Sequence, residues 1–484
     1  MQSKPSPLAT YLYNTLTRRV ERLKPSAPPL VKIYHCGPTV YASPHIGNLR
    51  RFITADLLRR VLEFLGWRVK DVMNITDVGH LTQDDIDQGE DKIIAAARRA
   101  KVTPQMIAEK YTREFFAAIE ALRIKRASAY PRATEFIPQM QKLIARLLKR
   151  GHAYQTSSGV YYDVTTFPSY GKLSGNTLAQ IQAGARIPPD EKKRHPADFA
   201  LWKRANPAHL MRWPSPWGEG YPGWHIECSA MALTLLQNPD IHTGGQDNIF
   251  PHHENEIAQA EGATGKTFVR YWVHNGLLTR GGEKIAKRTG KFYTLADIRA
   301  HGFDPLDFRM LVLTTHYRST LEFSWTALAA ARKQRQFFTL LQERLQRAIA
   351  ARITPDAPAQ TLSKEINRTR RALRAYLAQD LRTPQALARI TETAHQINAA
   401  LDEEKFNRKV IQIARSLLAD FDTVFAVLPA APPKIPPAVK KMVAAREKAR
   451  QQKDFAKADL LRKKIFAAGF VIEDTPQGPR LRPK

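Results

Sequence analysis

The stretch Val31–Arg50, VKIYHCGPTVYASPHIGNLR, decides the fold. It opens as a short apolar strand, turns through a loop holding Cys36, Gly37 and Pro38, and enters a helix at or near Gly47. In a strand-loop-helix unit, His45 and Asn48 fall where side chains and backbone N–H groups meet a phosphate. Cys36 is one of only two cysteines in the chain, so this loop puts a thiol beside a nucleotide site. The helix that follows carries Leu49, Phe52, Ile53, Leu57, Leu58 and Leu62, an i, i+3, i+4 pattern that buries one face. Gly66 stands where a helix stops. WRVKDVMNITD then reads as a second strand leading to Thr76 and Asp77. Residues 31–77 are therefore a strand-helix-strand unit, which predicts a parallel sheet.

Composition narrows the classes open to such a fold. The chain has 484 residues, enough for about two to four domains. Apolar residues make up 43%, an ordinary share for a packed core, and no run reaches the roughly 18 apolar residues of a membrane span. The first twenty residues lack acidic side chains and also lack the apolar core of a signal peptide. Two cysteines argue against a disulfide framework and fit a reducing compartment, so a cytoplasmic location is expected. The formal net charge, +30, is far from ordinary, and its lysines and arginines spread along the whole chain. A solvated basic surface accounts for such a charge, and so does a polyanion partner, nucleic acid above all.

Outside residues 31–77 the pattern changes several times. Residues 1–30 read as a polar lead and a hairpin. Helices are expected from about Glu90 to Gly151, broken near Pro104, Pro131 and Pro138. Residues 151–222 hold a strand at Gly159–Val164, the turn-rich TFPSYGKLSGN, and a region crowded with proline, lysine and tryptophan, as an insertion between two halves of a sheet domain does. From Trp224 the α/β pattern resumes. GWHIECSAMALTLL reads as loop into helix, and DIHTGG as strand into glycine turn. PHHENEIAQAEGATG reads as a helix opened by Pro251 and closed near Gly262. FVRYWVHNGLL is a strand before the polar loop TRGGEKIAKRTGKFY. The chain is then almost purely helical from about Trp325 to Leu428, where LPAAPPKIPPA breaks it. The tail holds two basic helices, with Asp454 as an N-cap and Gly469 as a stop, then a short hairpin.

Four stretches carry chemistry. In PHHENE, His252 and Glu256 are four apart on one helix face, and His253 and Glu256, three apart, can also meet. Most such strings are solvated polar faces. With Cys36 and Cys228 brought to the same sheet edge, they become a four-ligand metal set. HIGN is a helix start that serves as a cap or meets a phosphate. GGEKIAKRTGK is a basic loop in which Lys284 and Lys287 follow a glycine-rich entry, suited to a transferring phosphate. In GGQD, Asp247 follows a glycine turn, where a carboxylate caps the turn or accepts hydrogen bonds from a ribose.

Together these stretches resemble a cysteinyl-tRNA synthetase of class I architecture, from about Tyr13 to the C-terminus. CGPTVYASPHIGN is similar to the family's zinc cysteine and HIGH-type signature. NITD, GWHIECSAM, FPHHENEIAQ, a KMSKS-type loop, HYRSTLEFS and the tail ARQQKDFAKADLLR follow in the family's order. The resemblance implies an α/β fold: a Rossmann-type parallel-sheet catalytic domain with an insertion between its halves, then a helical bundle and a small C-terminal α+β domain. The implied segments are a catalytic first half at 1–120, a connective insertion at 121–222 and a catalytic second half at 223–324. A helical tRNA-binding domain at 325–428, a linker at 429–438 and an anticodon-region-binding domain at 439–484 complete the chain.

The resemblance further implies one zinc per chain, held by Cys36, Cys228, His252 and Glu256. It selects His252 over His253, which spacing leaves open. Gly37, Thr39, Thr76, Trp224 and His225 would line the amino-acid pocket. His45, Asn48, Asp247 and Lys287 would serve ATP, with its Mg2+, and His45, Asn48, Lys284 and Lys287 the chemical step. The implied partners are tRNA(Cys), L-cysteine and ATP, with no membrane, for a monomeric chain. A substrate thiol ionises on zinc far more readily than a serine hydroxyl does, so no editing domain is demanded. Two departures stand out: HIGN replaces HIGH, and KIAKR replaces KMSKS, keeping both lysines and losing both serines. Two other readings fit parts of the chain. One is a mycothiol-type ligase joining cysteine to an amino sugar, set against the basic region of about 160 residues that follows the catalytic part. The other is a catalytically silent tRNA-binding relative, set against the presence of every zinc candidate and both lysines.

Overall fold

The LVKIYH run forms a strand, β1 (Leu30–His35), whose last three residues are all buried. The structure is a computed structural model describing residues 6–78, 81–83, 88–183, 193–206, 209–285, 292–348, 358–404, 406–429, 436–452, 454–475 and 478–483. From β1 the chain passes through helix α1 (Ile46–Phe64) to β2 (Arg68–Met73), which lies parallel beside β1. The apolar stripe read from the sequence is the buried face of α1, and Gly66, at φ +99°, turns the chain after its end. Further on, α2 (Trp224–Leu236), β3 (Ile241–Gly245), α3 (Glu254–Thr264) and β4 (Tyr271–Asn275) complete a parallel sheet of order β4-β3-β1-β2. The α/β fold expected from residues 31–77 is thus present. From β1 the chain winds outward to β2, and from β3 it winds outward to β4. The two directions part between β1 and β3, and open α/β sheets bind ligands outside the strand ends at such a place.

Three local expectations change. The helix after Pro251 begins only at Glu254, because Ile249–His253 forms a wider π-type turn first. It closes at Gly265, at φ +68°, and not near Gly262. Gly262 lies inside the helix, where an added Cβ would stand 2.9 Å from the Tyr162 hydroxyl, so close packing explains the glycine. FVRYWVHNGLL splits into β4 and a separate strand, Leu278–Arg280, which pairs with Glu283–Lys284 and Leu321–Glu322 in its own small sheet.

Between the two halves of the parallel sheet stand four antiparallel strands: Ala153–Thr156, Gly159–Tyr162, Phe199–Arg204 and Gly220–Pro222. They brace α3. The Tyr162 hydroxyl donates to the Ala258 carbonyl at 3.0 Å, and the backbone N–H groups of Leu173 and Ser174 donate to the Glu254 carboxylate at 3.1 and 2.8 Å.

The chain forms two compact units that part between Val427 and Leu428. In the first, helices α4 (Trp325–Ala348), α5 (Pro358–Ala378), α6 (Thr383–Asp402) and α7 (Arg408–Phe425) follow the sheet. The second packs α8 (Pro437–Gln451), α9 (Phe455–Ala467) and the hairpin β5 (Phe470–Thr475) and β6 (Gly478–Pro483) around Val439, Ile465, Phe470 and Ile472. Asp454 caps α9 by accepting from the Lys457 N–H at 3.0 Å. Among the described residues, no helix is long and apolar enough to cross a membrane.

A buried guanidinium ties α1 to the helical part of the first unit. Arg309 donates to Asp56 at 2.5 Å, to the Leu122 carbonyl at 2.9 Å and to the Phe425 carbonyl at 2.6 Å. Burial pushes the Asp56 carboxyl up, but Arg309 and Arg60 together hold it below the usual carboxylate range. We predict that Arg309→Leu costs about 3–5 kcal/mol, because it strands part of a buried charge and two carbonyls. Calorimetry should show a clear fall in the unfolding midpoint; an unchanged midpoint would remove this cluster from the account.

Candidate functional site

Just past the strand ends, the loops after β1 and β2 zip together. The Cys36 N–H donates to the Thr243 carbonyl of β3 at 3.2 Å, which pins the cysteine at the sheet edge. The Gly37 N–H donates to the Asn74 side chain at 2.8 Å. Any Cβ at Gly37 would stand 1.6 Å from the Asn74 carbonyl oxygen, so only glycine permits this approach. The Thr76 N–H donates to the Pro38 carbonyl at 3.0 Å, and the Val40 N–H to the Thr76 carbonyl at 3.1 Å, bringing Thr39 and Thr76 side by side. These loops form one wall of a cavity of about 1070 Å3.

The opposite wall is the start of α1. His45 is its N-cap, and HIGN forms a closed capping box. The Asn48 N–H donates to His45 Nδ1 at 3.3 Å, and the His45 N–H donates to the Asn48 side-chain oxygen at 3.4 Å. The first turn carries no acidic residue, so the positive end of the helix dipole at the cavity is not neutralised by a side chain of its own. Gly47 lets the His45 ring and the Ile285 carbonyl close over the helix start, where an added Cβ would meet them at 2.9 and 3.2 Å. Beyond β3, Asp247 receives a hydrogen bond from Lys284 Nζ at 2.7 Å. Burial pushes the Asp247 carboxyl up, and the charges of Lys284 and then Arg51 bring it below the usual carboxylate range.

The floor of the cavity is a buried cluster of metal-binding side chains. Two overlapping sets have their donor atoms within 4.8 Å of one another: Cys36, Cys228, His252 and Glu256, and Cys36, His242, His253 and Glu256. Glu256, with no exposure, lies 2.9 Å from His252 Nε2 and 2.8 Å from His242 Nε2. Burial pushes its carboxyl up, and the facing imidazoles pull it down to about 2. Burial pushes the Cys36 thiol up as well, yet its hydrogen bond to Cys228 and the adjacent His253 and His252 hold it well below the usual thiol range. Cys228, the other half of that pair, is held well above it by the hydrogen bond to Cys36 and by burial. The sets differ in access. Cys36, Cys228 and His252 all line the cavity, whereas of the second set only Cys36 does. A metal that must meet a ligand in the cavity is served by the first set.

Of the residues singled out from sequence, Cys36, Gly37, Thr39, His45, Asn48, Thr76, Trp224, Cys228, Asp247, His252 and Lys284 line this one cavity. Glu256 lies beneath it. His225 stands behind His252, ring nitrogen to ring nitrogen at 2.8 Å, and is not part of the lining. Lys287 lies outside the described residues. Sequence reasoning passed over His242, His274, Asn74, Asn248 and Arg51. His274 bonds His253 at 2.7 Å, and its presence in an apolar strand was a visible signal, as was that of His242 in DIHTGG. Nothing local marks Asn74 or Asn248.

Comparisons with known proteins agree along the length of the chain. Residues 22–333 match the profile of a family described as tRNA synthetases class I (C) catalytic domain, and residues 432–482 match a Cysteinyl-tRNA ligase anticodon binding domain. The chain is 43% identical over 479 residues to a Cysteine--tRNA ligase of Thermus thermophilus, covering 97% of this chain and 98% of that one. It is 41% identical over 493 residues to one from Deinococcus radiodurans, covering 99% and 97%. Among solved structures, a Mycobacterium tuberculosis methionyl-tRNA synthetase in complex with methionyl-adenylate superposes with a TM-score of 0.58 at 15% identity, covering 82% of this chain and 90% of that one. At that identity the likeness is one of fold.

The two donor sets make different predictions. Cys228→Ser should lose most of the metal bound by the wild-type protein, whereas His242→Ala should keep a metal at about 10- to 100-fold lower affinity, as a group that only orients Glu256 would. Metal content by atomic emission on both variants checks this. The reverse pattern would transfer the site to the second set.

Proposed function

The chain belongs to the cysteine–tRNA ligase family of class I synthetases, and from this premise we propose that it joins L-cysteine to tRNA(Cys) at the expense of ATP. The observation that carries the proposal is the meeting, in one cavity, of a thiol-rich metal set and a capped helix N-terminus. Two thiols, one imidazole and one carboxylate make a donor set that fits zinc. When bound there by Cys36, Cys228, His252 and Glu256, zinc supplies a Lewis-acid partner on which the substrate thiol ionises, and serine's hydroxyl has no comparable partner.

The remaining roles fall to this chain's own groups. The loop Gly37–Thr39, Thr76 and Trp224 hold the amino acid, with Trp224 stacked on His252 at 4.4 Å between ring centroids. His225, behind His252, fixes its orientation. The α1 start, with His45 and Asn48, receives the ATP phosphates. Asp247 accepts from the ribose, and Lys284 and Lys287 take up charge as pyrophosphate, with its Mg2+, departs. The substrate carboxylate attacks the α-phosphate, the bond to pyrophosphate breaks, and the terminal ribose hydroxyl of the tRNA then displaces AMP from the cysteinyl carbonyl. No protein nucleophile is required. Positioning and charge stabilisation carry the rate.

For the RNA, we propose that the helical segment 325–428 contacts the tRNA body and that residues 439–484 meet the anticodon region. The tail match over 432–482 favours tRNA over an amino sugar as the acceptor. The presence of all four zinc candidates and of Lys284 in the cavity wall speaks against a silent relative.

We predict cysteine-dependent exchange of pyrophosphate into ATP, with serine at least 100-fold poorer, since one site must make the whole discrimination. Exchange that is equal with serine, or absent, would overturn the ligase reading. Lys287→Ala should reduce exchange more than Lys284→Ala, and the opposite order would exchange their roles. Truncation after Leu428 should spare exchange and weaken tRNA charging; equal charging by the shortened chain would sink the assignment of the tail.

A further inference from the structure

Arg51 was not among the residues that sequence reasoning picked out, and the roles assigned above leave it unused. It lies three residues after Asn48 on α1, on the same helix face, and lines the cavity. Its guanidinium makes two hydrogen bonds to two different loops. Nη2 donates to the Gly37 carbonyl at 3.0 Å, and Nη1 donates to the Asn248 side-chain oxygen at 3.1 Å. That same oxygen accepts from the Gly245 N–H at 3.1 Å, so Asn248 in turn holds the glycine turn that presents Asp247. The Nε of Arg51 is buried and has no hydrogen-bond partner among the described residues.

The two loops belong to different halves of the site. Gly37 follows Cys36 and lies on the amino-acid side, where its N–H is already fixed by Asn74. Asp247 lies on the ribose side. These loops leave β1 and β3 at the point where the sheet's winding parts, and across this gap no backbone ladder continues beyond the Cys36–Thr243 bond. One planar guanidinium therefore spans the gap. A guanidinium suits this task because its donors leave in fixed, diverging directions, whereas an ammonium is a point charge without that geometry.

We propose that Arg51 is a positioning residue for the adenylate-forming step. Its fork sets the separation of the amino-acid loop from the nucleotide turn, and so the approach of the substrate carboxylate to the α-phosphate. The inference rests on the ligase reading above. A bridge of this kind leaves each half-site intact, so its loss lowers the turnover of bound substrates and changes their separate binding little.

The test is cysteine-dependent pyrophosphate exchange with the full-length, metal-loaded protein and its Arg51→Met and Arg51→Lys variants. Both variants should lose about 10- to 100-fold in kcat, with KM for ATP and for cysteine within about threefold of wild type. Metal content and unfolding midpoint should stay as in wild type. Arg51→Lys with full kcat would show that charge suffices and overturn the bridge. A rise in KM for ATP alone would make Arg51 a direct phosphate ligand and overturn it equally. Should Arg51→Met fold poorly, Asn248→Ala removes one arm of the fork together with the hold on the turn before Asp247, and it must lower kcat with KM for cysteine unchanged; wild-type kcat in that variant rejects the proposal. Wild-type protein without exchange activity refutes the ligase reading itself, whereas active wild type with unaffected variants refutes this inference alone.

Discussion

The carboxylate of Glu256 is fully buried, and much of the molecule is arranged around keeping it charged there. A lone ion in such a place is untenable unless opposite charges and donors meet it. The imidazoles that meet it are His252, from the turn before α3, and His242, from β3; Cys36, from the end of β1, and Cys228, from the first half of α2, complete the cluster around them. The end of β1 must therefore reach the same point as the residues of 228–256, nearly two hundred positions further along the chain. The parallel sheet makes this possible, because strand ends and helix starts gather on one edge. The insertion contributes from behind, since its backbone N–H groups satisfy Glu254 at the start of the same helix.

Much of this was legible in the sequence, and the reason is periodicity. The apolar spacing of Leu49 to Leu62 and the strands on either side specify β1-α1-β2 without outside help, and the fold class follows. Cys36, Cys228 and Glu256 stood out because thiols are scarce here and because a histidine and a carboxylate lie about one helical turn apart, while the choice of His252 over His253 came from the resemblance alone. His242 was not legible as a partner of Glu256. Its strand gives it a face but cannot say what lies across from that face. The start of α3 was misread for a related reason. Pro251 is an acceptable first helical residue, yet the chain passes through a wider turn first, which aligns His252 and His253 with different neighbours. Arg51 escaped because one arginine among many carries no pattern; only the distance to Gly37 and Asn248 distinguishes it.

The departure of HIGN from HIGH also takes on a physical meaning. At the third helical position, Asn48 completes a capping box with His45, a role that needs a side-chain acceptor. The residue thereby fixes the N-cap histidine and keeps the helix start ordered against the cavity. Two of the first N–H groups of the helix are already engaged, Ile46 with the Tyr293 carbonyl at 2.8 Å and Asn48 with His45 Nδ1 at 3.3 Å, so the box and its neighbour together fix the helix start. The geometry of the helix start thus depends on the residue at which the chain departs from the HIGH signature.

In the roles proposed above, the contact between Lys284 and Asp247 poses the opposite problem, since each would leave the other when nucleotide arrives. Their side chains are 40% and 50% exposed, and a pair that open to water contributes on the order of 0–1 kcal/mol. A phosphate oxygen offered to the same ammonium in a site that excludes water is worth considerably more. On the proposed roles the exchange of partners would therefore be downhill for the lysine, with the ribose hydroxyls replacing it at the carboxylate. A buried pair would have resisted the exchange, and an unpaired lysine would have had no reason to wait near the ribose side. On that proposal the pair's exposure would let one contact hold the hairpin end before ATP binds and yield once it does.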